Sequence, residues 1–559
     1  VMLEPTVVPH LSAPSPHACP GPARALVAIA RPRCRTSTAA AGADPLVVVL
    51  ASAGALGATA SAARRGFRTT RRRLLGHGRW SATQLRAMGA PVEGRSCRVA
   101  VIGGGPAGVA SCRFLAEKGH KPVVFEAGSD FGGIWARDAP NKVVYRGLVT
   151  NLPTVAMQSF DLDFPAGLPS YVKGADLGDY FVSYAERFDL KKFFRFRTQV
   201  TSVRLAEGEG EGEAGADGGS SAGSGGSGGA DTDAWAVAFE GAEGRGVEKF
   251  DAVVVAKGHY DEPYAPEILG QRAWLAGAES GARTVVHSRE YDDPARHTGR
   301  AVLVVGGRSS AVDVARELRG VARWVYVLEK GCQQLMSVGE CTHLPIGAAL
   351  RPDGAVEVGG EVAPGPPVDD VILATGYKYV FPFLDSEQLG LEFGPEARFV
   401  EPLYMHIVHN RRPSLCFVGI PLAVPTPVHL FEAQARFVAA HLCAPFSTLA
   451  EREGWLEARR AAVGERTQDL HFLSADAWNY MRELTRMSGM AGAEYEVYER
   501  RLALVAEVYA DRVAKRPQLP WGDDWFRRCQ YTVDWEAGTW QVSLPEEAQQ
   551  AGTDVPAAL

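Results

Sequence analysis

Residues 98–126 read RVAVIGGGPAGVASCRFLAEKGHKPVVFE, and this stretch decides the fold. Its first five residues form a short, apolar, β-rich run. Gly103-Gly104-Gly105-Pro106-Ala107-Gly108 follows at once, a GxGxxG turn. Residues 109–118 then space their apolar side chains as a helix does, with Val109, Cys112 and Leu115 on one side. A second strand, 123–125, ends in Glu126. Strand, glycine turn, helix and strand in that order make such a turn a dinucleotide site. Gly103 permits the tight turn, Gly105 lets the backbone approach a pyrophosphate, and Gly108 lets helix and strand pack closely. The helix start, with Pro106 and Ala107, offers free N–H groups and a positive dipole end to phosphate. Glu126, 23 residues after Gly103, is placed to accept hydrogen bonds from an adenosine ribose. Gly132 and Gly133, followed by Trp135, permit a second close approach of bare backbone.

The same pattern recurs about 200 residues on. Residues 301–305 (AVLVV) predict a buried strand, Gly306-Gly307-Arg308-Ser309-Ser310-Ala311 a turn, residues 312–318 a helix and 324–328 (WVYVL) the next strand. Two such units imply two dinucleotides with electrons passing between them. Arg308 stands where the second glycine of the pattern belongs, and its Cβ limits close approach of a pyrophosphate. A reshaped loop whose guanidinium meets a phosphate resolves that conflict. Glu329 ends the second strand, again 23 residues after the first glycine. An acid there suits a free 2′-hydroxyl, as in NADH, whereas Lys330 or Arg308 suits a 2′-phosphate; both alternatives stand at this level.

Bulk properties set the frame. The chain has 559 residues, net charge −6 and 46% hydrophobic residues. That is ordinary for a globular protein and points away from a nucleic-acid partner. Nine cysteines are scattered without CxxC spacing. A zinc knuckle, a disulfide framework and a thioredoxin-type redox pair are therefore not expected, and no metal site is. Residues 1–90 differ sharply, with twelve arginines, no lysine and only two acids, Glu4 and Asp44. That is transit-peptide composition. Within it, residues 46–63 are uncharged and precede Arg64-Arg65. The arrangement resembles the bipartite plastid leaders of some algae, so an organelle, with the plastid favoured over mitochondrion or cytoplasm, is the expected location. The mature body is expected to lack a membrane span.

Further blocks run in a specific order: YRGLVTN at 145–151, FDLDFP at 160–165, VVVAKGHY at 253–260, HSREY at 287–291, ILATGY at 372–377, PLYMH at 402–406, FVGIP at 417–421 and FEAQ at 431–434. With the two turns they resemble the flavin-containing monooxygenase family from about Cys97 to about Trp525. The last blocks look most like fungal and plant members, including plant S-oxygenases. The resemblance implies FAD at the first turn and a nicotinamide dinucleotide, NADPH in the family with NADH left open, at the second. It implies a monooxygenase that inserts one atom of dioxygen into a soft nitrogen or sulfur nucleophile through a flavin C4a-hydroperoxide. Asn151 matches the family's active-site asparagine. Gly103, Gly105, Pro106, Ala107, Gly108, Glu126, Gly132, Gly133, Trp135, Val200 and Gln434 are the implied FAD residues, with Gln434 donating to the flavin edge. Gly306, Arg308, Ser309, Ser310 and Lys330 are those for the nicotinamide dinucleotide. Three departures, Lys257, Arg283 and Arg308, gather on the nicotinamide side. They leave an uncoupled oxidase or non-catalytic flavoprotein as the alternative. A Baeyer–Villiger enzyme is a further one, disfavoured by Tyr291, where such enzymes carry Trp. A dithiol–disulfide reductase is disfavoured by the missing CxxC.

The expected fold is thus α/β, with two Rossmann-type domains, the nicotinamide domain inserted in the FAD domain, and a C-terminal helical segment. The boundaries read as a leader at 1–95, the FAD domain opening at 96–270, the nicotinamide domain at 271–368, the FAD domain resuming at 369–445, and a helical extension and tail at 446–559. Residues 206–233 contain no apolar side chain larger than alanine and read as a disordered insertion. The expected partners are a small nitrogen- or sulfur-containing substrate and dioxygen.

Overall fold

The computed structural model describes residues 95–544, apart from 138, 140–142, 207–233, 243, 280 and 517–520. The leader and nearly all of the 206–233 insertion lie outside the described residues, as does the tail beyond 544.

The strand Arg98–Ile102 sits at the heart of a seven-stranded sheet. It pairs in parallel with Lys121–Phe125 on one side and with Ala252–Val255 on the other. Burial on both faces explains why it reads as a continuous apolar run. Beyond Ala252–Val255 the sheet continues with Leu415–Phe417, in parallel, then Val408–His409 and Leu403–Tyr404. One nucleotide fold is therefore built from two widely separated stretches of the chain. Helices Pro106–Glu117 and Pro427–Cys443 share one apolar core on one face of this sheet. The antiparallel sheet of Thr198–Leu205, Trp235–Gly241 and Gly244–Phe250 contributes to the core on the other face.

The intervening chain builds a six-stranded sheet in the order Met336–Val338, Cys341–Leu344, Trp324–Leu328, Ala301–Val305, Asp370–Leu373 and Thr284–His287. All neighbours are parallel except the Met336–Val338 edge. Asp370–Leu373, assigned on sequence to the returning segment of the first fold, belongs to this second sheet. It fills the slot between Ala301–Val305 and Thr284–His287 with four buried residues. Immediately afterwards Tyr377–Lys378 pairs with Glu262–Pro263. The crossing between the two folds is thus a two-stranded ribbon.

Helices Leu449–Val463, Ala477–Met487 and Gly492–Ala514 follow, as the sequence leads one to expect. The segment does not stay helical. Gln530–Asp534 and Thr539–Ser543 form an antiparallel hairpin turned at Gly538, which has φ +67°. Tyr531, Val533, Trp540 and Val542 alternate with polar residues, so one face of the hairpin joins a core with Val155 and Tyr171.

Candidate functional site

At the first turn the glycines are demanded by contact. Gly103 has φ +103°, and a Cβ there would lie 2.7 Å from Lys257 Cα. A Cβ on Gly108 would lie 1.8 Å from the carbonyl oxygen of Gly103, so helix and strand touch as backbone. Gly105 packs against Gly133: an added Cβ on Gly105 would lie 3.5 Å from Gly133 Cα, and one on Gly133 would lie 2.9 Å from Gly105 Cα. Gly132 donates its N–H to Gly104 O at 3.1 Å, which seats the second glycine pair against the first. Two bare backbone segments in contact, at a helix N-terminus with Pro106 and buried Ala107 leading in, make a surface that fits a pyrophosphate. The Glu126 carboxylate receives N–H bonds from Gly104 and Gly128, both at 2.5 Å, which fix both of its oxygens at the mouth of the turn. A carboxylate oxygen accepts more than one hydrogen bond, so a ribose hydroxyl fits there as well.

Three implied FAD residues act differently from a direct side-chain contact. The Trp135 ring packs at Gly174. Val200 is a core side chain beside Phe125, at a β-bulge between Val200 and Ser202. Gln434 is fully buried; it accepts from Gly419 N at 2.9 Å and donates to Tyr480 Oη at 3.0 Å. One of the two amide N–H groups expected to serve the flavin edge is given to Tyr480. The amide instead holds Gly419 (φ +91°), whose Cβ position lies 3.5 Å from that of Ala107.

The second turn repeats the construction. Gly306 N donates to Leu328 O at 2.9 Å, as Gly103 N does to Phe125 O at 2.9 Å. Glu329 lies against Gly307 as Glu126 lies against Gly104; a Cβ on Gly307 would fall 2.0 Å from Glu329 Oε2. Arg308 occupies the Gly105 position in extended backbone. Its guanidinium stands 4.4 Å over the ring of Phe472, and burial there pushes its pKa down. The loop aims the charge at an aromatic ring in a cation–π contact. Ser309 and Ser310 open the helix, and Lys330 is exposed.

Asn151 joins the two halves of the site. Its Nδ2 donates to Ser309 Oγ at 2.9 Å. The loop that carries it is tied by Arg527, which donates to Thr150 O at 3.1 Å and to Asp313 at 2.7 Å on the helix after the second turn. No sequence signal pointed to Arg527, because its partners lie in a different region of the chain. The other departures from the family pattern are absorbed structurally. Lys257 bonds Asp261 and, at 3.0 Å, Val380 O. Arg283 bonds the carbonyls of Trp274 and Pro352. His287 accepts from Arg289 N at 3.2 Å, so Nε2 carries the proton and donates to Gly376 O at 3.1 Å. Burial lowers its pKa, and it braces the ribbon between the folds. Among the described residues no group of His, Cys, Asp and Glu could hold a metal ion. None of their helices is long and apolar enough to cross a membrane.

A family described as Flavin-binding monooxygenase-like matches residues 96–345. The Arabidopsis thaliana protein Flavin-containing monooxygenase FMO GS-OX-like 2 is 31% identical over 383 residues, covering 62% of this chain and 74% of that relative. FMO GS-OX5 from the same plant is 28% identical over 472 residues, 77% of this chain and 92% of the relative. The structure of S-allyl-L-cysteine S-oxygenase from Allium sativum superposes with a TM-score of 0.64 at 25% identity, over 77% of this chain and 96% of that one. The chain belongs to the flavin-containing monooxygenases and is a flavin-dependent oxidoreductase.

Proposed function

We propose that this flavin-containing monooxygenase uses FAD and a reduced nicotinamide dinucleotide to place one atom of dioxygen on a soft nucleophile, a thioether sulfur first and an amine nitrogen second. The observation that carries the reading is the Asn151–Ser309 hydrogen bond, which sets the loop amide on the second turn. When bound, the two cofactors supply the redox chemistry: two electrons reach dioxygen, one oxygen atom goes to the substrate lone pair and the other leaves as water.

The chain itself binds and orients. Gly105 and Gly133 present bare backbone to the FAD pyrophosphate, and Glu126 accepts from its ribose. Asn151, with both a donor and an acceptor, holds the nicotinamide end against the flavin and keeps water out of that contact. The name of the garlic relative, an S-oxygenase of S-allyl-L-cysteine, supports the thioether choice. We also propose that residues 1–90 direct the protein to a plastid, on their arginine-rich, acid-poor composition. A reporter fused to them and found throughout the cytosol refutes that.

The test of the activity is a panel of thioethers, thiols and tertiary amines with product mass measured. Nicotinamide oxidation is followed alongside hydrogen peroxide release. Substrate-stimulated oxidation with an oxygenated thioether is the expected result. Peroxide as the sole product with every substrate makes the protein an oxidase.

A further inference from the structure

We propose that Glu329 reads the ribose 2′-hydroxyl of the nicotinamide dinucleotide, so that this protein takes its electrons from NADH in preference to NADPH. This rests on the reading of residues 306–311 as the nicotinamide turn.

The first turn supplies the template. FAD carries an adenosine ribose with a free 2′-hydroxyl, and the acid that serves it, Glu126, ends the second strand of its fold and lies against Gly104. Glu329 ends the equivalent strand of the second fold and lies against Gly307, one residue into the turn, as Gly104 does. The two carboxylates occupy equivalent places in two equivalent units. A carboxylate there accepts from a hydroxyl and repels a phosphate.

Glu329 is also held where it is. Its N–H donates to Leu344 O at 3.3 Å. His343, on the neighbouring parallel strand Cys341–Leu344 and 8% exposed, donates Nε2–H to Glu329 Oε1 at 2.6 Å. Trp521 packs edge-on against that imidazole with ring centroids 5.7 Å apart. To admit a 2′-phosphate the carboxylate must leave a buried histidine and the backbone of its own turn. Of the two cations that offered an alternative, one is engaged elsewhere, and among the described residues no ion pair holds the other at the turn. Arg308 is stacked on Phe472. Lys330 is an exposed side chain with no ion pair among the described residues.

The experiment uses the FAD-loaded full chain without oxygen. Equilibrium dissociation constants of NAD⁺ and NADP⁺ are measured by titration calorimetry, and flavin reduction by NADH and NADPH is followed by stopped flow. NADH and NAD⁺ are expected to be favoured at least about tenfold in both. Glu329→Gln, which keeps the shape and removes the charge, should shrink that preference at least about fivefold, chiefly by improving NADPH. If Glu329→Gln does not load FAD, His343→Gln, which frees the carboxylate, serves instead and should narrow the preference in the same direction. Equal or greater preference for NADPH in the parent protein overturns the proposal, as does a preference unchanged by these variants, or failure of both dinucleotides to bind. Product formation is scored separately in air. Reduction by NADH with peroxide as the sole product keeps this inference and removes the oxygenase reading. Oxygenated product with NADPH preferred does the reverse.

Discussion

The turn at 103–108 and the turn at 306–311 are two solutions to one problem, and they differ at four of six positions. Gly105 becomes Arg308, Pro106 and Ala107 become Ser309 and Ser310, and Gly108, which lies against Gly103 O, becomes Ala311. The backbone bonds that frame the turns are preserved. In both units the first strand receives an aspartate at its start, Arg98 N to Asp251 at 2.7 Å and Ala301 N to Asp369 at 2.8 Å. In both, the first helical turn closes on the special position, Val109 N to Gly105 O at 2.9 Å and Val312 N to Arg308 O at 3.0 Å. The first turn also faces a second glycine pair, Gly132-Gly133. The first site is thus shaped by bare backbone on two sides, and the second by side chains, with Asn151 on Ser309 and Phe472 under Arg308.

The sharpest way to break this comparison is Gly105→Leu. A Cβ at 105 meets only ordinary contacts, so the fold survives, but the remaining side chain covers the bare backbone that Gly105 and Gly133 present. FAD should be lost essentially completely, read as the flavin-to-protein absorbance ratio. A fully yellow variant ends the assignment of the first turn.

Next in size is Asn151→Leu. FAD loading should be unchanged because the first turn is elsewhere. Loss of an orienting hydrogen bond of about 1–3 kcal/mol should lower product per nicotinamide consumed about five- to hundredfold, with peroxide rising in step. Unchanged yield returns Asn151 to the ordinary role of a turn residue.

A further difference lies one strand away. Ala252 pairs with Val99 in the first fold, where the second fold pairs Asp370 with Val302. Burial by itself raises the Asp370 carboxyl. Hydrogen bonds from His297, Arg300 and Thr284 outweigh it and hold the pKa down to about 2. A depressed carboxyl stabilises the fold above its unfolded value of 3.8, and that contribution fades as pH falls towards 2. It should amount to about 2 kcal/mol at neutral pH. Acid unfolding followed by tryptophan fluorescence should therefore shift in Asp370→Asn, whose stability profile flattens between about pH 4 and 2. An identical acid limb in the variant removes Asp370 as the cause.

The smallest effect is expected of Arg308→Gly, which turns the second site's special residue into the first's. Losing the contact with Phe472 should cost about 0.5–1 kcal/mol in thermal or denaturant unfolding. Dinucleotide affinity should not weaken, because the guanidinium is engaged with the ring. A tenfold weaker dissociation constant would show that Arg308 swings to a phosphate.

Much of this architecture was legible in residue order. The helix after each turn follows from the spacing of Val109, Cys112 and Leu115 and its counterpart, and the flanking strands follow from β-branched runs bounded by glycine. The hairpin at 530–543 was hidden behind three helices, although Tyr531, Val533, Trp540 and Val542 alternate in the strand period. Gln434 read as a donor to the flavin because a motif records which residue recurs and carries no record of where its amide points. The strand Asp370–Leu373 was placed with the wrong sheet for a similar reason, since the apolar run Val371-Ile372-Leu373 fits a gap in either one.

Sequence alone determined the two strand–glycine turn–helix units, the acid at the end of each second strand and hence a two-dinucleotide oxidoreductase. Each depends on contacts within about thirty residues, where backbone geometry and side-chain period leave few options. Tertiary structure decided what those residues do. It placed Arg308 on Phe472, Glu329 under Gly307 with His343 behind it, Asn151 on Ser309 and Arg527 on Asp313. These pairings join elements whose mutual position is set by sheet order and packing, and a side chain's direction in space is fixed only when its neighbours from distant stretches of the chain arrive.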